Sequence, residues 1–351
     1  MKKFLIGTTA LLGSLVFAQV AAAGDMKVTL GGAVEFQAGF VSQDNDNGQA
    51  GREFRTLPEL VIKADNKADN GLSYGALVKL NNEDSVGAGD VTADELYMYG
   101  SGSFGRVELG DTKGASYNLV VAAPTVGDHV GDRSGQVDGP FAAFAGVGPS
   151  IGVRAANTDD STKISYYTPR FSGFQAGLSY TPTPGSYGKD ITRAYSVMNY
   201  KDAVETGVNY KGEFSGVKLG ASAGFNFADA AEGSNLEKAR AWQVGAQVGY
   251  QNFAVGAGYV DNGKTNNFLG DNNEKTAWNV GASYEVGAFG VAVNYLAEDY
   301  DNNGTYKAVG VGGVYKLAPG LTTGADVVHF KDKATVEEKG TVFLLSTKAS
   351  F

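Results

Sequence analysis

Hydrophobic and polar positions alternate along most of this chain with a period of two. From Met26 to Val41 one parity carries Met26, Val28, Leu30, Val34, Phe36, Ala38 and Phe40, and the other carries Lys27, Thr29, Gly31, Glu35, Gln37 and Gly39. The pattern returns over 216–227, where Val217, Leu219, Ala221, Ala223 and Phe225 oppose Lys218, Gly220, Ser222, Gly224 and Asn226, and again over 278–286 and 341–351. A strand points successive side chains to opposite faces, so each segment predicts a strand with one apolar and one polar face. Sixteen such segments are read near 26–41, 53–65, 71–82, 92–100, 104–111, 162–169, 173–182, 203–211, 216–227, 238–250, 253–261, 275–286, 289–299, 305–317, 320–331 and 340–351. No helical stripe of comparable length competes with them.

The links between these segments alternate in length. Tight turns such as Ser101-Gly102-Ser103, Arg170-Phe171-Ser172 and Gln251-Asn252 follow even-numbered strands, and long polar links such as 42–52, 112–161, 183–202 and 262–274 follow odd-numbered ones. An even strand count with turns at one end and long loops at the other is the pattern of a transmembrane β-barrel. The aromatics Trp242, Tyr250, Phe253, Tyr259, Trp278, Tyr284, Phe289 and Tyr295 sit near strand ends on the apolar parity, where interfacial girdles belong. The opposite parity is too small and polar to fill a dry core, so the predicted fold is all-β: a sixteen-stranded antiparallel barrel around water.

Composition narrows the chemistry. Gly supplies 50 of 351 residues, about twice the usual roughly 7%. There is no Cys, which removes disulfide scaffolds and thiolate chemistry, and only His129 and His329 carry imidazoles, neither beside a nucleophile motif. A barrel hydrolase therefore has little to work with. The formal charge of −9 argues against a nucleic-acid partner, because phosphate binding requires a basic surface. At the N-terminus Lys2 and Lys3 precede the apolar stretch Phe4 to Val20 and the small residues Ala21, Ala22 and Ala23, which together read as a secretory signal peptide over 1–23. Its removal leaves 24–351 as the barrel domain and, with the two lysines gone, makes the charge more negative.

Several segments carry a resemblance. The leader, the opening Val28-Thr29-Leu30-Gly31-Gly32, the run Gly102-Ser103-Phe104-Gly105-Arg106-Val107-Glu108-Leu109-Gly110-Asp111, the run Ile164-Ser165-Tyr166-Tyr167-Thr168-Pro169-Arg170-Phe171-Ser172-Gly173-Phe174 and the terminal Phe351 together resemble the general porins of Gram-negative bacteria across essentially the whole mature chain. The resemblance implies a homotrimer in the outer membrane, embedded in lipid and lipopolysaccharide. Each barrel would be a water-filled channel for passive diffusion of small hydrophilic solutes and ions, narrowed by a third external loop folded inward. It also implies that Phe351 belongs to a signal read by the barrel-assembly machinery. Residues 191–200 leave room for an extra strand, and so for an eighteen-stranded, substrate-selective alternative. A plugged adhesin barrel is a further one.

The third link, 112–161, is long enough to be functional or disordered. Its Tyr117, Leu119, Val120, Val121, Phe141, Phe144, Val147 and Ile151 argue against disorder and suit packing against an inner wall, while a solvated surface loop is the competing reading. The resemblance favours the inserted loop and sets basic wall residues opposite loop carboxylates. On that basis Arg52, Arg55, Lys63 and Lys79 against Asp128, Asp132 and Asp138 form the expected pore constriction. One such pair about 9 Å apart in water is worth about 0.5 kcal/mol, enough to orient a dipolar solute without trapping it. The loop's excess of acids predicts a weak cation preference. Asp299, Asp301, Asn303 and Gly304 match half of a calcium loop, but Gly310 stands where a bidentate Glu is required, and Asn303-Gly304 reads as a hairpin turn. No cofactor is expected beyond weak Ca²⁺ binding by acidic external tips such as Asp44 and Asp46.

Overall fold

The computed structural model describes residues 26–45, 48, 50–81, 92–126, 140–148, 152–188, 200–333 and 337–351. The expected leader lies outside them. Sixteen strands follow in chain order: β1 (Lys27–Gln43), β2 (Arg52–Lys67), β3 (Ser73–Asn81), β4 (Thr92–Gly102), β5 (Gly105–Asp111), β6 (Thr162–Tyr167), β7 (Phe174–Thr181) and β8 (Tyr200–Phe214) form the first half. The second half comprises β9 (Val217–Ala230), β10 (Ala239–Tyr250), β11 (Phe253–Gly263), β12 (Lys275–Val286), β13 (Phe289–Tyr300), β14 (Gly304–Ala318), β15 (Leu321–Asp332) and β16 (Glu338–Ser350). Each pairs antiparallel with its neighbours in sequence, and β1 pairs with β16, so the sheet closes on itself and has no free edge. β7 pairs directly with β8 from Phe174↔Tyr210 to Thr181↔Ala203, so no further strand stands between the two and the ring closes at sixteen. No helix among the described residues is long and apolar enough to cross a membrane. The crossing is made by strands.

Alternation decides which side chains face out. On β1, Leu30, Val34, Phe36 and Phe40 are exposed on the outer surface, while Thr29, Glu35 and Gln37 between them are buried inside. In water that outer surface would be unfavourable; in lipid it is the matching one, and the lumen takes the polar parity. Aromatic pairs band the outside at two levels. Trp242–Tyr259 and Trp278–Tyr295, each with centroids 5.2 Å apart, lie towards the long-loop end. Phe174–Tyr210 at 4.8 Å and Phe253–Tyr284 at 4.6 Å lie beside the short turns. Between the bands the surface is Val244, Val248, Val255 and Val280. The β8–β9 turn shows how the short end is made: Ser215 and Gly216 both take positive φ, 51° and 81°, the twist that a two-residue hairpin requires.

The seam is finished by the last residue. Phe351 and Gly32 exchange two backbone hydrogen bonds of 3.0 Å, extending the β1–β16 ladder past Ser350. A Cβ on Gly32 would collide with the Glu59 carbonyl and stand 3.1 Å from the Phe351 ring, so the missing side chain admits both the β2 backbone and the terminal aromatic. The residues Asp301 to Asn303 form the turn between β13 and β14, as the Asn-Gly dipeptide predicts.

Candidate functional site: the lumen and its inserted connection

The connection after β5 does not project outward. It makes a single helical turn, α1 (Ala115–Asn118), and then lies along the inner faces of β7 to β13. Side chains of the wall satisfy its backbone. Ala115 donates its N–H to Ser179 Oγ at 2.9 Å, Val121 donates to Ser222 Oγ at 2.7 Å, and the amides of Asn209 and Asn294 donate to the carbonyls of Leu119 and Pro124, both at 3.2 Å. The returning arm is held in the same way: Gly152 N–H to Glu298 at 2.6 Å, Ala156 N–H to Asn262 at 2.7 Å, and Thr158 N–H to Glu205 at 3.0 Å. Buried backbone must find partners, and here the wall's inward polar parity provides them.

The wall beneath the connection is glycine because backbone meets backbone there. A Cβ on Gly245 would collide with the Val121 carbonyl; on Gly256 it would stand 2.9 Å from the Ala122 carbonyl, and on Gly207 2.8 Å from that of Ala115. Gly39 of β1 receives the Phe144 ring of α2 (Pro140–Ala145), which lies against β1 and β16. Around this second contact an apolar cluster forms inside the barrel from Leu296, Tyr306, Val328, Phe330 and Val342, with Phe144 and Val147 packed on it. The described apolar groups Leu119, Phe144 and Val147 therefore do pack on an inner wall, and for these residues the reading of a solvated surface loop is set aside; Phe141 and Ile151 lie outside the described side chains.

Glu205, 1% exposed, ties both arms where they pass: Ser116 Oγ donates to it from the outgoing arm at 3.1 Å, and Thr158 donates through both N–H and Oγ from the returning one. At the neck, Lys113 bridges the carboxylates of Asp159 and Asp160. Burial pushes the Asp160 carboxyl up to about 7, the Lys113 ammonium opposing this without overcoming it. Burial alone would lower the Lys113 ammonium, but the two carboxylates raise it.

The wall of β2 to β5 carries a charged ladder. Lys63 pairs with Asp65 at 3.0 Å, Lys79 with Glu59 at 3.2 Å and Asp94 at 2.8 Å, and Arg106 with Glu108 at 2.6 Å. Arg106 also stacks 3.9 Å from the Tyr99 ring centroid, and Lys63 lies 5.7 Å from the same ring. Arg55 donates through Nε to Gln37 at 2.6 Å and sits over Phe144 at 5.5 Å, which brings a wall cation against the inserted connection.

Three expected constriction residues, Arg55, Lys63 and Lys79, thus share the lumen face. Arg52 does not: its register partner is Phe40, which is exposed on the outer surface, so Arg52 takes the outward parity at the long-loop end. Even numbering on β2 already carries Phe54, Leu60 and Ile62 outward, and that signal extended to 52 would have placed it. The carboxylates expected to face these cations, Asp128, Asp132 and Asp138, lie outside the described residues, as does Asp46. The described partners of Lys63 and Lys79 stand on the wall itself. The pairing of Lys79 with Asp94 depends on a register shift between Lys79 and Leu80, which no periodicity announces.

A closed apolar-coated barrel with a charged, glycine-seated lumen defines a transmembrane channel. The family model described as Gram-negative porin matches residues 7–335, and the chain belongs to that family. It is 30% identical over 191 residues to the outer membrane porin protein 32 of Delftia acidovorans, an alignment covering 51% of this chain and 49% of that one. An uncharacterized protein of Rickettsia felis is 24% identical over 93% of both chains. Among solved structures, the anion-selective porin from Comamonas acidovorans superposes with a TM-score of 0.66 at 21% identity, covering 93% of this chain and 100% of that one. A variant of the Rh. blastica porin gives 0.62 at 16% identity, with 92% and 100% covered. The chain is a porin of the outer membrane, a channel for passive diffusion, with its short turns towards the periplasm and its long connections outside.

Proposed function

We propose that this channel is a general diffusion pore for small hydrophilic solutes and ions, not one built for a single substrate. The observation that carries this reading is that the lumen cations are matched by wall carboxylates over several strands: Lys63–Asp65 on β2, Lys79 with Glu59 and Asp94 across β2 to β4, and Arg106–Glu108 on β5. A selective site gathers a few polar groups around one ligand position. Spread pairs act on any dipolar solute that passes. Swelling of proteoliposomes in sugars of graded size tests it: rates should fall smoothly with solute size, and saturable uptake of one sugar would replace this reading with a selective channel.

Assembly as a trimer is part of the proposal. Ala38, Ala64, Ala76 and Gly100 lie on the outward parity of β1 to β4, small positions set between larger side chains such as Phe36, Phe54 and Met98. Small side chains let barrels approach closely. An unheated gel with only monomer, supported by a monomeric mass in mild detergent, would remove this part of the proposal. Residues 1–23 are the proposed export leader, and Phe351 part of the signal to the assembly machinery. Lipopolysaccharide is the proposed outer lipid neighbour.

A further inference from the structure

The two ends of the lumen carry opposite charge. Near the periplasmic turns Lys63, Arg106, Lys211, Lys218 and Lys316 stand on inward parities, and Arg170 lies in the β6–β7 turn. The inward carboxylates at that level, Asp65, Glu108, Glu213 and Glu285, are fewer. The external end reverses this. Asp332 and Glu338 are register partners, both buried on the inner face at the outer rim. The β9–β10 connection contains two acids, Glu232 and Glu237, and one base, Lys238, and the β11–β12 connection contains Asp271 and Glu274 and one base, Lys264. The inserted connection separates the two zones.

Resting on the channel reading above, we propose that the pore is axially polarised and conducts asymmetrically at low salt. A cavity lined by one sign of charge concentrates the opposite ion. The external zone therefore holds cations and the periplasmic zone holds anions. When the external side is positive, cations enter through the acidic end and anions through the basic end, both accumulate at the junction, and conductance rises. With polarity reversed both are drawn out of the junction, which becomes depleted. The effect requires charges that reach across the lumen, so it is present where the screening length is about 10 Å, at 0.1 M, and lost where it is about 3 Å, at 1 M.

The test is a current–voltage curve from purified protein in planar bilayers at both KCl concentrations. The chain has no Cys, so an Asn302→Cys variant in the external β13–β14 turn, labelled with a bulky thiol reagent from one side, reports which way each channel inserted. The expected result is a current roughly 1.5-fold larger with the external side positive at 0.1 M, falling to about 1.0 at 1 M as the screening length shortens. The combined Lys211→Gln, Lys218→Gln and Lys316→Gln variant should lose most of the asymmetry at 0.1 M. A symmetric wild-type curve at 0.1 M, an asymmetry that survives 1 M salt, or one unchanged in the triple variant would overturn the proposal. Should the triple variant fail to insert, the wild-type salt series decides alone. Absence of any current would instead count against the channel itself.

Discussion

At Gly245 a single hydrogen atom decides where the inserted connection lies. The position that a Cβ would take is already occupied by the Val121 carbonyl, a backbone atom that cannot swing aside. Replacing Gly245 by Val forces the outgoing arm off the wall towards the pore axis, at a cost of about 1–3 kcal/mol of overpacking. Single-channel conductance should fall, while the heat-modified gel shift of the barrel persists. Conductance equal to wild type would mean that the arm is seated elsewhere. Phe351 makes the contrasting case. It touches Gly32 at the β1–β16 seam and points away from the lumen, about half exposed at 49%. Phe351→Ala should lower the amount of protein in the outer membrane far more than it lowers the conductance of the channels that assemble. Equal surface levels for variant and wild type would contradict this.

At the scale of the element, the inserted connection behaves as a clamped strap. Glu205→Ala removes an acceptor shared by the two arms and leaves the Thr158 N–H and the Ser116 hydroxyl without it in a buried place, a loss of about 1–3 kcal/mol, while Thr181 still meets the Thr158 hydroxyl and Gln243 still joins Ser116 to Ala155. The expected outcome is an open-state current with much larger fluctuations and little change in barrel stability; quiet records from this variant would show that the clamp is redundant. Asp160 gives the strap a pH response. Because burial holds its carboxyl up to about 7, the strap gains a negative charge as pH rises through neutrality. Cation preference should therefore increase between about pH 6 and pH 8, and Asp160→Asn should flatten that rise. The strands were legible in sequence because alternation is a local signal and lipid outside with water inside makes every strand obey it. The path of the strap was legible only as an apolar excess in Leu119, Val121 and Phe144. Its track could have been read from inward-parity glycines at 207, 220, 245, 256 and 258, which cluster on the half of the barrel lacking the charged ladder. Which carboxylate meets which cation was not legible, since the Lys79–Asp94 pair follows from a bulge and the Lys113–Asp159–Asp160 bridge from a fold-back of forty-six residues.

Across the whole molecule two charge distributions compete to set ion preference. The ladder of β2 to β5 nearly cancels, because Lys63, Lys79 and Arg106 are each matched by carboxylates within 3.2 Å. The periplasmic end is basic and the external end acidic, and the chain's formal charge of −9 leaves the acidic side in excess. Among the described connections the strap runs inside the lumen, and the sequence of its 128–138 stretch, outside the described residues, carries Asp128, Asp132 and Asp138 against Arg133. A narrowing lined by one sign of charge raises the local concentration of counter-ion, so the expected pore prefers potassium over chloride weakly, with a bias that fades as screening shortens from about 10 Å at 0.1 M to about 3 Å at 1 M. Reversal potentials in a KCl gradient measure it. Changing Asp128, Asp132 and Asp138 together to Asn should reduce or reverse the preference, and removing 128–149 should raise conductance, because α2 and its contact with Gly39 and Arg55 go with it. A strong anion preference in the unaltered protein, or reversal potentials and conductance indifferent to both changes, would place the narrowest point of the pore away from the strap.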